Sequence, residues 1–335
     1  MAPHRTGNHI IGGRSPDQPH QNEDQTCVRI SALEAGKLTL PEHFFCADQH
    51  DKKVRNTVPS MSFLIDHPPS GKRIIFDLGM RRDLAKYPPE IQPHLQTRQP
   101  IFTVPDVSDS LRAGGLDPID IDAVVLSHVH YDHVGTPGDF TRALFIVGPG
   151  TRQLLLHGMK YHSAAHFEKD LLPVERSTEL PEPGHAEGQG IAGEQFDAVR
   201  LESFVGTAAA WQPLAPFENG MDLFGDGCVY IVNSPGHLQG HLNLLARVGQ
   251  RRWVYLAGDA CHHSRILDGE TEMATWQERG QLVCIHQDKP GAEETLRRMM
   301  KARKEGFREE KVEIILAHDA NWAKEHREGF FPGFL

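Results

Sequence analysis

Residues 127–135 read SHVHYDHVG, directly after the apolar run Ala123-Val124-Val125-Leu126. Four groups that bind divalent ions, His128, His130, Asp132 and His133, fall within six positions. In an extended stretch the side chains at 128, 130 and 132 share one face. A turn after Asp132 lets His133 approach from a second side. A chance HxH pair is common, and an isolated histidine is usually a surface residue or a satisfied core residue. HxHxDH at the end of a buried-type strand is not explained that way. Imidazole together with carboxylate suits zinc and similar ions. A strand that ends in such a cluster belongs at the rim of a sheet, where segments far apart in sequence can add further ligands.

Three other residues stand in the same context. His237 follows the apolar run YIV in NSPGHLQGH, Asp259 follows WVYLA in LAGDACHH, and His318 follows EIILA in LAHDAN. Each is the first strong ligand beyond its run. Alone, His237 or His318 reads equally well as an ordinary loop residue. Beside the cluster, all three read as ligands. The chain holds 21 histidines, but spacing and position after strands, not the count, point to a site.

The remaining pattern places these segments. Strands are expected at Ser60–Ile65 and Arg73–Phe76, joined by the turn HPPSGK, and at Ala123–Leu126 and Ala143–Val147. Three more are expected at Cys228–Val232, Asn243–Val248 and Trp253–Ala257, with a last one at Val312–Ala317. Helices are expected at Asp106–Ala113, ending at Gly114-Gly115, from Thr151 to Leu156, and at Gly291–Lys304 with Leu296, Met299 and Met300 on one face. Strands near both ends with helices between them indicate a layered mixed α/β fold rather than repeated βαβ units. Residues 1–25 are polar and read as an N-terminal arm, and residues 26–335 as one domain. The Gly-, Pro- and Glu-rich stretch 176–196 reads as an inserted surface loop, or as a flap over the site.

Charge and composition exclude several classes. Lys plus Arg is 35 and Asp plus Glu is 45, a net charge of −10, which disfavours nucleic acid and anionic membranes as partners. No run approaches the roughly 18 apolar residues of a membrane helix, and the N-terminus lacks the apolar segment of a secretory signal. Five cysteines without a close pair suggest reduced thiols and a cytoplasmic location.

The order HxHxDH, PGHxxGH (His237, His241), Gly258-Asp259 and the late Ala317-His318-Asp319 resembles the metallo-β-lactamase superfamily, and within it the N-acyl homoserine lactonase branch. The resemblance runs from about residue 60 to residue 320. It includes Phe76-Asp77-Leu78-Gly79, similar to the family's early Asp-x-Gly element. It implies a four-layer αββα sandwich with two metals on one edge. His128, His130 and His237 would hold one metal, Asp132, His133 and His318 the other, and Asp259 would bridge them. Flavodiiron proteins carry Glu in place of the second His of the cluster, here His130. The best-known β-lactamases carry Cys in place of Asp259 and lack His133. A tRNA-processing nuclease would need a basic surface. Glyoxalase II enzymes need a helical C-terminal domain, and only 17 residues (335 − 318) follow His318. One departure stands out: the lactonases have Tyr three positions after the bridging Asp, where this chain has His262.

The chemistry follows from that set. Two divalent ions, expected to be zinc, about 3.5–4 Å apart can share a hydroxide whose pKa falls from 15.7 toward about 7. Asp132 is the candidate for moving a proton to the leaving group, and His262 for donating to the substrate oxyanion. Tyr131, Phe45 and Trp211, with Phe204 and Phe217 behind them, are candidate pocket residues. Asp77, His241, His263 and Asp319 are candidate partners for the ligand imidazoles. The expected function is a hydrolase opening a cyclic ester. A cyclic amide or carbamate hydrolase, an acyl thioesterase and a non-catalytic metal-binding regulator are the alternatives. The expected partner is a small cyclic ester or amide. The oligomeric state is left open, with a homodimer as one option.

Overall fold

The computed structural model describes residues 27–159, 166–184, 198–205, 210–278 and 280–335. The arm expected at 1–25 and residues 185–196 of the expected loop lie outside the described residues.

Twelve strands form two sheets of six. The first holds β1 (Arg29–Leu33), β2 (Ser62–His67), β3 (Lys72–Phe76), β4 (Ala123–Val125), β5 (Leu144–Val147) and β6 (Ser177–Glu179), in that spatial order. The second holds β7 (Trp211–Pro213), β8 (Asn219–Asp222), β9 (Val229–Asn233), β10 (Leu242–Gly249), β11 (Arg252–Leu256) and β12 (Lys311–Ile315), also in chain order across the sheet. Pairs β1·β2 and β2·β3 are antiparallel, and β3 to β6 are parallel. In the second sheet only β11·β12 is parallel. A parallel pair needs a crossover. The helix Lys289–Glu305 supplies it between β11 and β12, and Val107–Ala113 lies between β3 and β4.

Alternation along the strands creates the layers. Ile30, Phe63, Ile65, Phe76 and Val125 of the first sheet form one buried cluster with Ile231, Leu244, Val254 and Ile315 of the second. The intervening residues Leu64, Ile75, Val124 and Phe145, and on the other side Leu245 and Trp253, pack outward with helix residues such as Leu111, Leu154, Met299 and Ala302. The result is helix, sheet, sheet, helix: the expected αββα sandwich. Central strands are covered on both faces, which is why they read as unbroken apolar runs. Each fully buried Leu, Ile or Phe contributes about 1.5–3 kcal/mol.

Several ends differ from the sequence reading by one or two residues, for local reasons. β2 begins at Ser62 rather than Ser60 because Ser60 N–H bonds Gly36 O and Met61 N–H bonds Ala317 O. The long helix begins at Lys289 rather than Gly291 because the Asp288 carboxylate accepts from Gly291 N–H (3.2 Å) and Pro290 fits the first turn. The ribbon Lys37–Pro41 with Arg55–Pro59 was not expected from sequence. Among the described residues, no helix is long and apolar enough to cross a membrane.

Strands β3, β4, β9, β11 and β12 all release the chain at one rim. Asp77, His128, His237, Asp259 and His318 are each reached within four residues of their strand's last residue.

Candidate metal centre

A tight turn at Asp77-Leu78-Gly79 opens the first rim loop. Asp77, just beyond β3, sits at φ 61°, a left-handed conformation that Asp tolerates better than most residues. Gly79, at φ 62°, leaves no room for a side chain, since a Cβ there would lie 2.2 Å from Ala35 O. The turn aims the Asp77 carboxylate back into the sandwich. It accepts from Ser127 N–H (2.6 Å), from Ser127 Oγ (2.7 Å) and from His133 Nδ1 (2.9 Å).

Hydrogen bonds at the far ring nitrogen orient the imidazoles. His133 gives Nδ1 to Asp77, and His318 gives Nδ1 to Pro59 O (2.7 Å). Ser127 Oγ already donates to Asp77, so it accepts from His128 Nδ1 (2.9 Å). His237 Nδ1 lies 3.2 Å from His286 Nδ1. Each ring therefore turns Nε2, with its lone pair, toward the same space.

Two groups of ligand atoms result. In the first, His130 Nδ1 lies 2.9 Å from His128 Nε2 and 3.0 Å from His237 Nε2. The second joins Asp132, His133 and His318. Asp259 faces both groups. Its Oδ2 is 3.4 Å from His237 Nε2 and 3.7 Å from His128 Nε2. Its Oδ1 is 3.3 Å from His133 Nε2 and 3.2 Å from His318 Nε2.

These residues fit divalent metal ions. Imidazole nitrogens that carry lone pairs repel one another at this range unless a cation lies between them. Tetrahedral zinc with ligands at about 2.0–2.1 Å spaces its donor atoms about 3.3 Å apart. Asp259 Oδ1 and His133 Nε2 are buried and have no hydrogen-bond partner, a costly state that a cation relieves. Electrostatics separate the groups. Burial and then the neighbouring imidazoles push His128 well below the usual range, and His237 is likewise pushed well below. Burial also pulls on His133 and His318, but Asp259, with Asp77 or Asp132, outweighs it and raises both. Burial opposes the Asp259 charge, yet His133, His262 and His318 hold its carboxyl well below the usual range.

The other expected residues divide. His241 Nε2 accepts from Asp259 N–H (3.1 Å), so it braces the loop that carries the carboxylate. Burial drives its pKa to about 3, which keeps it the neutral acceptor this bond needs. His262 stacks on Phe45 (4.8 Å) and points Nε2 at Asp259 Oδ2 (3.1 Å). Phe45, Tyr131 and His262 line a cavity of about 30 Å3 with His130, Asp132 and Asp259, room for little more than a water.

Five of the expected residues are engaged elsewhere. Trp211 lies on edge strand β7, donates to Pro181 O (2.6 Å) and packs against the cluster between the sheets. It is not among the residues lining the cavity. Asp319 caps the helix Ala320–Glu325 through Trp322 N–H (2.9 Å), so it does not hold an imidazole. His263 caps the helix Ser264–Leu267 and faces Glu42 at 3.9 Å. Phe217 stacks on Tyr255, and Phe204 packs near Phe224; neither lines the cavity.

Sequence reasoning missed His94, Arg98 and His286. His286 follows the run QLVCI, the same signal that singled out His237. His94 and Arg98 lie in the polar stretch EIQPHLQTRQP, which carries no such signal. All three are buried, and His94 and Arg98 line the cavity.

Comparisons with known proteins bear on the family and the fold. Three Penicillium proteins named cytochrome P450 monooxygenase mpaDE or mpaDE' are 28–29% identical over 63–72% of this chain, which spans only 23–26% of their length. Gamma-lactamase FDB1 of Fusarium pseudograminearum is 30% identical over 61% of this chain and 45% of its own. N-acyl homoserine lactonase AttM of Rhizobium radiobacter is 27% identical over 71% of this chain and 78% of its own. A solved structure of Bacillus thuringiensis AiiA, with N-decanoyl-L-homoserine at its active site, superposes with a TM-score of 0.61 at 19% identity. It covers 92% of this chain and 100% of that one, a likeness of fold. The metallo-beta-lactamase superfamily profile matches residues 55–305. The chain therefore belongs to the metallo-β-lactamase superfamily.

Proposed function

We propose that this chain is a binuclear metal-dependent hydrolase that opens a small cyclic ester. The observation that carries the reading is Asp259, whose two carboxylate oxygens face separate ligand groups. His128, His130 and His237 would hold one ion, Asp132, His133 and His318 the other, with Asp259 common to both. Two divalent ions, zinc by the donor set, supply Lewis acidity and activation of water near neutral pH.

The chain's own groups then have defined tasks. The Asp132 carboxylate borders the cavity and lies 3.7 Å from His318 Nε2. From there it can pass a proton to the leaving alkoxide. His262 holds Asp259 through Nε2, and donating to the substrate carbonyl oxygen from that nitrogen requires the ring to turn away from Asp259. Phe45 restrains that turn by stacking. Tyr131, whose phenol is pushed far up by burial and then by Asp132, stays protonated and can donate. Five cysteines with no close pair along the sequence suit a reducing compartment, the cytoplasm.

AttM supports the lactone, and FDB1 favours a second reading, a cyclic amide or carbamate. A hydrolysis panel of lactones, lactams, carbamates and thioesters with metal-loaded protein separates them. We expect two metal equivalents per chain and turnover on lactones first. A chain that retains no metal after metal-supplemented purification sinks the whole reading. Turnover confined to lactams or carbamates replaces the substrate and keeps the site.

A further inference from the structure

Arg98 is 6% exposed. A buried cation normally has an anionic partner, because burying a bare charge costs several kcal/mol. Arg98 has none: among the described residues no carboxylate oxygen lies within ion-pair distance of it. Its contacts are neutral. Nη1 donates to Thr97 Oγ1 (3.0 Å), the guanidinium sits 5.9 Å from the Phe44 ring, and Arg98 acts on the Tyr131 hydroxyl. Glu42, the acid nearest Phe44 in the chain, is taken by Asn56 (2.9 Å) and Arg265 (3.7 Å).

The backbone that carries Arg98 is also fixed in place. Arg98 N–H donates to Leu95 O (3.0 Å) and Arg98 O accepts from Thr39 N–H (3.0 Å). Arg55 braces the same turn by donating to Thr97 O (2.6 Å), which adds a second positive charge behind the wall. Arg98 lines the same cavity as His130, Asp132, Asp259 and His262. Leu40, Phe45 and Ile285 supply the apolar part of the lining.

We propose that Arg98 is a carboxylate-binding subsite facing the ligand cluster, so that the substrate is a cyclic ester that itself bears a carboxylate. This deepens the hydrolase reading and rests on it. A planar guanidinium pairs with a carboxylate through two parallel hydrogen bonds, and the substrate then supplies the missing counter-charge. Arg98 lines the same cavity as the ligand residues, so the carboxylate is attached at or next to the reacting ring. A neutral lactone leaves the buried guanidinium without a counter-charge and is the poorer substrate.

The test compares γ-butyrolactone with the same ring bearing a carboxylate beside the ring oxygen, using metal-loaded wild-type protein. The carboxylated ring is expected to show at least about tenfold higher kcat/KM, carried by KM. In Arg98→Met the preference falls by about that factor, and Arg98→Lys keeps part of it. A second arm needs no turnover: benzoate and benzamide are titrated calorimetrically into metal-free protein. Benzoate is expected to bind the wild type more tightly than benzamide does, and to lose that advantage in Arg98→Met. Equal kcat/KM for the two rings overturns the proposal. So does benzoate binding no better than benzamide, or undiminished in Arg98→Met. Should Arg98→Met not fold, the wild-type comparisons decide. If neither ring is opened while benzoate still binds through Arg98, the lactone reading fails and the subsite stands.

Discussion

The two halves of the rim site use the same ligand types but are braced differently. His133 and His318 are held by Asp77, a buried carboxylate, and by a backbone carbonyl. His128 and His237 are held by a hydroxyl and by another imidazole. The first kind of brace is a carboxylate held by three hydrogen bonds or part of the main chain. The second kind consists of side chains that depend on their own neighbours. Yet Asp77 reaches both halves, because Ser127 Oγ stands between it and His128. The difference implies that Asp77 organises the whole rim, whereas His286 tunes one half.

That contrast can be broken by substitution. Asp259→Ala removes the group common to both halves. It is expected to lower turnover by at least about a thousandfold, more than the loss of a single oxyanion donor, with metal content falling below two equivalents in a folded protein. Full activity in this variant would dissolve the two-group picture. Asp77→Asn keeps a side chain that tolerates the left-handed turn but loses the charge. It should weaken metal affinity about 10–100-fold, read by competition with a chelator, and lower Tm. His286→Ala should weaken affinity at only one of the two ions, by about tenfold. Equal losses from Asp77→Asn and His286→Ala would show that the braces do not differ. Asp319→Ala should cost about 1 kcal/mol of stability as a lost helix cap and leave metal content unchanged. A loss of metal there would return Asp319 to the site.

Much of the candidate site was legible because its proposed ligands follow a simple local rule. His128, His237, Asp259 and His318 each come first after a run apolar enough to be a covered strand, and strand ends lie at a rim. His286 obeys the same rule after a weaker run and was passed over. Asp319 and His263 looked equivalent to their neighbours, but adjacent residues at a strand end point in different directions, and both were taken up by helix caps. Trp211 had only its aromaticity to recommend it, and aromatic rings serve a core as readily as a pocket.

The sequence by itself determined the strands, their covered character and the donor types, since these depend on periodicity and local chemistry. It also contained the turns at Asp77-Leu78-Gly79 and Gly258-Asp259, which need residues that accept positive φ. Tertiary structure alone decided which ring nitrogen faces inward, because that is set by partners such as Pro59 and His286, 259 and 49 residues away from the rings they hold. It alone brought Arg98 to the cavity wall. No periodicity marks a residue whose burial depends on a turn held by Thr39, and a buried charge becomes visible only when everything around it is known to be neutral.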